Sequence, residues 1–173
     1  MDLAELSARK EFLGAEFLLW LWYRAEEFDG AFTIDGGHVE LGFDDQLVLE
    51  SDLQEAEQSR LKGGAPAYSP EAHKALQVGK RVRRAKLRLL KGEREWAFLF
   101  DATTFHTSGV KLPAVLSEHD DDRFFERMYL IEELDGAIHT LYRQFLELRL
   151  GDRWDTEHAA IKHWIAAPTA DEP

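Results

Sequence analysis

The 173-residue chain contains no cysteine. That excludes disulfides, a thiolate nucleophile and every cysteine-ligated metal site. Long apolar runs are also missing. The longest, Phe17 to Tyr23, has seven residues, against roughly 20 for a membrane-spanning helix. The first eleven residues carry Asp2, Glu5 and Glu11, and no small-residue cleavage site comes after an apolar block, so a secretory leader is not expected. A cytoplasmic location without membrane partners is the expectation. Nucleophile elbow, P-loop and dinucleotide fingerprint are all absent. No reaction is specified, and no catalytic residue, metal or cofactor is predicted.

Composition places the chain among globular proteins, with 45% hydrophobic and 31% charged residues. The formal charge is −12, which opposes nucleic-acid binding over the whole surface. Its distribution is uneven. Lys80, Arg81, Arg83, Arg84, Lys86, Arg88, Lys91 and Arg94 lie in one stretch against the single acid Glu93, a surplus of seven that leaves the remainder at −19.

The densest apolar stretch is Phe12 to Tyr23. With its flanks it reads as a helix over residues 2–27, with Asp2 as N-cap. From Phe17 onward it is apolar nearly all round, so it needs cover on more than one side. Gly14 in mid-helix costs about 1 kcal/mol relative to alanine, which suggests that another element passes close. Asp29-Gly30 ends the helix. Period-two alternation then takes over. Ala31 to Ile34, His38 to Phe43 and Gln46 to Glu50 read as a three-stranded meander, turning at Asp35-Gly36-Gly37 and at Asp44-Asp45. Residues 51–62 read either as a polar edge strand or as a short helix.

Ser69-Pro70 opens a helix over residues 71–78, which Gly79 stops. In the basic strand Ala85, Leu87 and Leu89 face one way, and Arg84, Lys86 and Arg88 the other. Trp96, Phe98 and Phe100 mark the returning strand, and a third runs from Thr104 to Leu112. Residues 120–150 then read as one long helix. Its apolar stripe is Phe124, Met128, Ile131, Leu134, Ile138, Leu141, Tyr142, Phe145 and Leu148. Gly151 ends it, and Asp155 is the expected cap of a last helix over residues 156–166. The resulting fold class is α+β: antiparallel β meanders packed with an N-terminal core helix and a C-terminal helical pair. Residues 1–168 are expected to form a single domain and residues 169–173 a frayed tail.

Several clusters have structural explanations. His119 to Asp122 combines hard and borderline metal ligands, yet consecutive residues entering a helix rarely converge on one ion, and acids there suit the helix dipole. His158 and His163 stand five apart, which rotates them off a shared helix face. Trp20, Trp22 and Tyr23 could stack bases, but their helical spacing points to a core. The cationic face of the basic strand is the leading candidate for contact with phosphates. The competing account is a solvated sheet face opposite the acids of its own chain.

Two stretches resemble one known family. Phe12-Leu13-Gly14-Ala15-Glu16-Phe17-Leu18-Leu19-Trp20-Leu21-Trp22-Tyr23 is similar to a segment in the C-terminal part of longer RdgC-like, recombination-associated proteins. Gly79-Lys80-Arg81-Val82-Arg83-Arg84-Ala85-Lys86-Leu87 and the later Val110-Lys111-Leu112-Pro113 resemble the basic strand and the strand exit that come after that segment in the family. The N-terminal half of those proteins has no counterpart here. The resemblance implies a non-enzymatic accessory module of a DNA-associated system concerned with recombination or DNA maintenance. Its partner would be double-stranded DNA, met without sequence preference through Lys80, Arg81, Arg83, Arg84, Lys86 and Arg88, which match the family's basic stretch; Lys91 and Arg94 belong to the same run of cations and would add to the electrostatic contact. No nuclease carboxylate motif is present to carry over. The alternative is an acidic protein–protein interaction subunit of a larger complex, or a homo-oligomer, that does not itself bind DNA. A hydrolase whose carboxylates assemble only in three dimensions is the third reading.

Overall fold

The structure is a computed structural model that describes residues 10–51 and 58–168. Residues 2–9, with the expected Asp2 cap, and the tail 169–173 lie outside the described residues. The architecture is α+β, as expected. Helix α1 spans Lys10–Glu27, and the strands are β1 (Ala31–Ile34), β2 (Gly37–Glu50), β3 (Gln58–Lys62), β4 (Arg81–Lys91), β5 (Arg94–Asp101) and β6 (His106–Lys111). A 3₁₀ turn, Pro66–Tyr68, and helix α2, Pro70–Gln77, lie between β3 and β4. Helices α3 (Asp120–Leu150) and α4 (Trp154–Ala166) come last.

All six strands form one antiparallel sheet in the order β1-β2-β4-β5-β6, with β3 also on β2. The two meanders therefore merge along the β2–β4 ladder. Strands β1 and β3 pair with opposite ends of β2, at Gly37–Glu40 and Gln46–Glu50. Asp35-Gly36 makes the tight hairpin turn, with φ of 50° and 76°, the left-handed pair such turns require. The expected turn at Asp44-Asp45 is corrected: β2 runs straight through it. Phe43 pairs with Leu87 and Leu47 with Ala85, so Asp44, Asp45 and Gln46 oppose the single residue Lys86. This is a bulge, and it bends the strand without ending it. The ambiguous stretch resolves over Gln58–Lys62 as an edge strand; residues 52–57 lie outside the described residues.

Helix α1 is the centre of the molecule. Phe17, Leu18, Leu21 and Trp22 are at most 1% exposed, and fully burying each such side chain contributes about 1.5–3 kcal/mol. An all-round apolar helix needs two covers, and both are present. The sheet covers one side through Phe17–Phe100, Trp20–Phe32 and Trp22–Phe43 ring contacts. Helices α3 and α4 cover the other through Phe17–Phe145 and Trp22–Trp164. Gly14 meets the expected close neighbour: a Cβ there would lie 1.8 Å from the Ala102 carbonyl oxygen.

Ser69 caps α2 through its side chain, which accepts from the Ala72 N–H at 3.3 Å. Gly79, at φ 86°, ends it. The N-cap position of α4 is held by Arg153, which makes no side-chain capping bond, and the expected cap Asp155 sits inside the first turn. Strand β6 starts at His106 because Ala102 to Phe105 are taken up by the turn. There the Asp101 carboxylate accepts the N–H groups of Thr103 and Thr104 at 2.9 and 3.2 Å.

Candidate interaction surfaces

The basic strand β4 sits between β2 and β5, with one face on the core and the other on the open side of the sheet. Val82, Ala85, Leu87 and Leu89 point into the core, while Arg84 and Arg88 are exposed and Lys86 is half-buried. From Arg84 to Leu89 this alternation follows from period two, and Val82 joins the core face through the register shift between Val48 and Leu49. The sheet then supplies acids to most of the cations. Arg83 pairs with Glu50 at 3.2 Å and Arg84 with Asp101 at 2.8 Å. Lys86 reaches both bulge acids, Asp45 at 2.8 Å and Asp44 at 3.2 Å. Lys91 and Arg94 at the β4–β5 hairpin share Glu133 of α3. Lys80 donates to the Ser59 hydroxyl at 2.8 Å, and Arg81 lies at the start of β4 beside Glu50 in register.

These pairings shift the groups involved. The Lys86 hydrogen bond holds the Asp45 carboxyl below its ordinary value, and Asp45 and then Asp44 raise the Lys86 ammonium in return. Burial alone would raise Asp101. The Arg84 hydrogen bond and the backbone N–H groups of Thr104 and Thr103 together outweigh burial and lower it. Of the eight cations singled out in the sequence, Arg88 has no ion pair among the described residues. Two further cations on this face, Arg60 and Lys62 of β3, are likewise without an ion pair among the described residues. Sequence reasoning did not assign them because residues 51–62 carried no clear period. Arg60 and Arg84 flank Val48 on the two neighbouring strands. With Lys62, Gln46 and Gln58 they line a shallow depression of about 440 Å³.

The second surface is apolar. The long stripe of α3 splits in two. Leu130, Leu134, Ala137, Leu141 and Phe145 are buried against the core, and the Trp96 indole N–H donates to the Leu130 carbonyl at 3.0 Å. Phe124, Met128 and Ile131, expected to be buried with them, are exposed, together with Phe125 and Tyr129. The correction has a simple cause. The β5–β6 turn covers this side of α3 only at Ile138 and Tyr142, and the described part of α1 spans about 27 Å against roughly 46 Å for the 31 residues of α3, so the earlier turns of this face stay uncovered. They are held in place from below. Glu126 accepts the backbone N–H groups of Leu116 at 2.9 Å and Ser117 at 2.8 Å. The Leu116 N–H, then Ser117, lower the Glu126 carboxyl.

The remaining sequence candidates have clear places. Trp20, Trp22 and Tyr23 are core residues. Among the described residues no three acids, histidines or cysteines gather as metal ligands. His119 stands at the N-cap position of α3. His158 stacks on Trp154, with ring centroids 5.5 Å apart. His139 is bonded within its own helix, to the Asp135 carbonyl at 3.0 Å. One largely enclosed polar centre was not legible in the sequence. The Glu26 carboxylate takes the Trp22 indole N–H at 2.7 Å, the Trp164 indole N–H at 2.9 Å and the His73 ring at 3.1 Å. Glu26 and His73 keep only 13% and 12% of their side-chain exposure. This cluster ties α1, α2 and α4 together. No helix among the described residues is long and apolar enough to cross a membrane. No family model matches the chain, and no curated protein matches it by sequence.

Proposed function

We propose that this chain is a non-enzymatic protein-docking module, serving within an RdgC-like, DNA-associated assembly. The observation that carries the reading is the exposed cluster Phe124, Phe125, Met128, Tyr129 and Ile131 on one projecting stretch of α3. At about 200 Å² per large side chain, half to two-thirds exposed, it presents on the order of 500 Å² of apolar surface. A monomer rarely leaves so much uncovered in one place unless it binds something. The segments at Phe12–Tyr23 and Gly79–Leu87, through their resemblance, support the assembly. The test is affinity capture with the wild-type chain and with a Phe124→Ser/Met128→Ser/Ile131→Ser variant of equal helicity. A partner held by the first and lost from the second is the expected result. Identical captured sets for both chains overturn the reading.

A second reading, nonspecific phosphate contact by the open sheet face, is favoured by one observation: Arg60, Lys62 and Arg88 face out without ion pairs among the described residues. Against it stands the pairing of Arg83, Arg84, Lys86, Lys91 and Arg94 with acids of the same chain. Fluorescence anisotropy with a labelled DNA duplex at roughly 50 and 200 mM salt separates the outcomes. Affinity that falls by orders of magnitude between the two, and that Arg60→Glu/Lys62→Glu/Arg88→Glu abolishes, supports phosphate contact. No binding at either salt removes it.

A further inference from the structure

We propose that the projecting half of α3 docks a cationic amphipathic helix of a partner protein. This rests on reading α3 as a docking surface and adds the chemistry of its occupant. The apolar side chains form a track suited to a helix. Phe124, Met128 and Ile131 succeed each other at four- and three-residue steps, and the same face continues to Ile138 and Tyr142. The track is therefore about 27 Å long. Its far end becomes a groove. There Ile138 and Tyr142 face Phe105, His106 and Thr107 of the β5–β6 turn across a cavity of about 450 Å³. Phe105 holds φ at 55°, a costly conformation for an aromatic residue. Its ring is wedged against Tyr142, with centroids 4.8 Å apart. The groove wall is thus set by the core before any partner arrives.

Charge selects the occupant. By helical spacing Asp121 and Glu132 lie beside the track, and Asp135, 3.5 Å from His139, lies in line with it; Asp120 and Asp122 stand in the first turn of α3, where they also answer the helix dipole. Arg123 and Arg127 are the bases of the same stretch. Glu126 and Glu133 do not count toward this rim, because Leu116, Ser117, Lys91 and Arg94 already engage them. A second copy of this chain would bring the same acidic rim and a net charge of −12 against its like. Like charges brought together at an interface are penalised. A helix with apolar residues at matching spacing and lysines or arginines on its flanks meets both features. The apolar area, with its charged rim, approaches the roughly 800 Å² per partner of a stable interface.

The experiment uses three labelled peptides of about 18 residues, the length of the track. One is a leucine–lysine sequence with an apolar helical face, one is its leucine–glutamate counterpart, and one is the leucine–lysine composition scrambled to destroy the face. Each is titrated with the full chain at roughly 0.15 M ionic strength and followed by anisotropy. We expect the amphipathic lysine peptide to bind at least roughly tenfold more tightly than either control, and Met128→Ser/Ile131→Ser to remove that advantage. Sedimentation of the chain alone is expected to give a monomer at micromolar concentration. Equal or tighter binding of the glutamate peptide, or a dimer that Ile131→Ser dissolves, overturns the cationic partner and leaves the docking surface standing. Binding of the scrambled peptide as tightly as the amphipathic one, or no binding of any peptide by a monomeric chain, overturns both.

Discussion

The indole N–H of Trp164 donates to the Glu26 carboxylate at 2.9 Å across a sequence separation of 138 residues. This bond joins the last helix to the first at a largely enclosed polar cluster. Trp22 and His73 complete the set of donors on the same carboxylate. A carboxylate in such surroundings persists because its partners replace the water it has lost. Glu26→Ala leaves Trp164 and His73 without this acceptor, while Trp22 keeps the Ala67 carbonyl at 3.1 Å; it is expected to cost roughly 3 kcal/mol, with Glu26→Gln costing less. Chemical denaturation measures the loss, and tryptophan fluorescence reports the change around Trp22 and Trp164.

Gly14→Ala separates helix propensity from packing. Propensity alone predicts a gain of about 1 kcal/mol. The added Cβ would fall 1.8 Å from one backbone oxygen of Ala102 and 2.7 Å from its carbonyl carbon. Backbone cannot step aside as a flexible side chain can. A net loss of roughly 2–4 kcal/mol is expected in thermal or denaturant unfolding. A stabilised variant would show that the β5–β6 turn yields.

Asp101 gives a pH signature. Burial works to raise its pKa, but Arg84 and the turn N–H groups outweigh burial, so the folded value lies below the ordinary one of about 3.9. Its stabilising contribution is therefore present above the unfolded pKa and lost as pH falls through the folded one. Asp101→Asn is expected to flatten the stability curve between about pH 5 and pH 2. Parallel wild-type and variant curves over that range would contradict the assignment.

The two halves of α3 should respond oppositely to truncation. Phe145→Ala empties a fully buried site in contact with Phe17 and Trp20 and is expected to cost about 3–5 kcal/mol. Phe124→Ser and Phe125→Ser alter exposed rings that touch each other. They should change stability by no more than about 0.5 kcal/mol while raising solubility. Denaturant midpoints and salting-out curves measure both.

Glu126 should act on the connection that leads into α3. Glu126→Ala removes the acceptor of the Leu116 and Ser117 amides. Those two amides are then expected to exchange with deuterium faster, with the amides of Phe145 and its neighbours unchanged. Acid lowers the protection of the same amides relative to their intrinsic exchange rate in the wild type, once pH falls through the lowered Glu126 pKa.

Much of the fold was legible because it is set locally. The period-two runs over residues 31–50 and 81–100, the Asp35-Gly36 turn, the Ser69-Pro70 helix start and the Gly79 and Gly151 stops each depend on a few neighbouring residues. The all-round apolar character of Phe17 to Tyr23 determined that α1 would be covered on two sides. The nature of the two surfaces was decided only in three dimensions. Acidic pairs such as Asp44-Asp45 are equally at home in a turn or a bulge. The ladder with β4, some 40 residues on, made them a bulge and delivered Lys86 to both carboxylates. A run of cations likewise reads as an open charge until register brings Glu50 and Asp101 beside it. In α3 the apolar spacing required a partner for the stripe. The extent of the elements packed on it decided that Leu134, Leu141 and Phe145 would find one within the chain and that Phe124, Met128 and Ile131 would not. Periodicity records which side chains avoid water, and tertiary structure decides whether the chain itself has enough surface to shelter them.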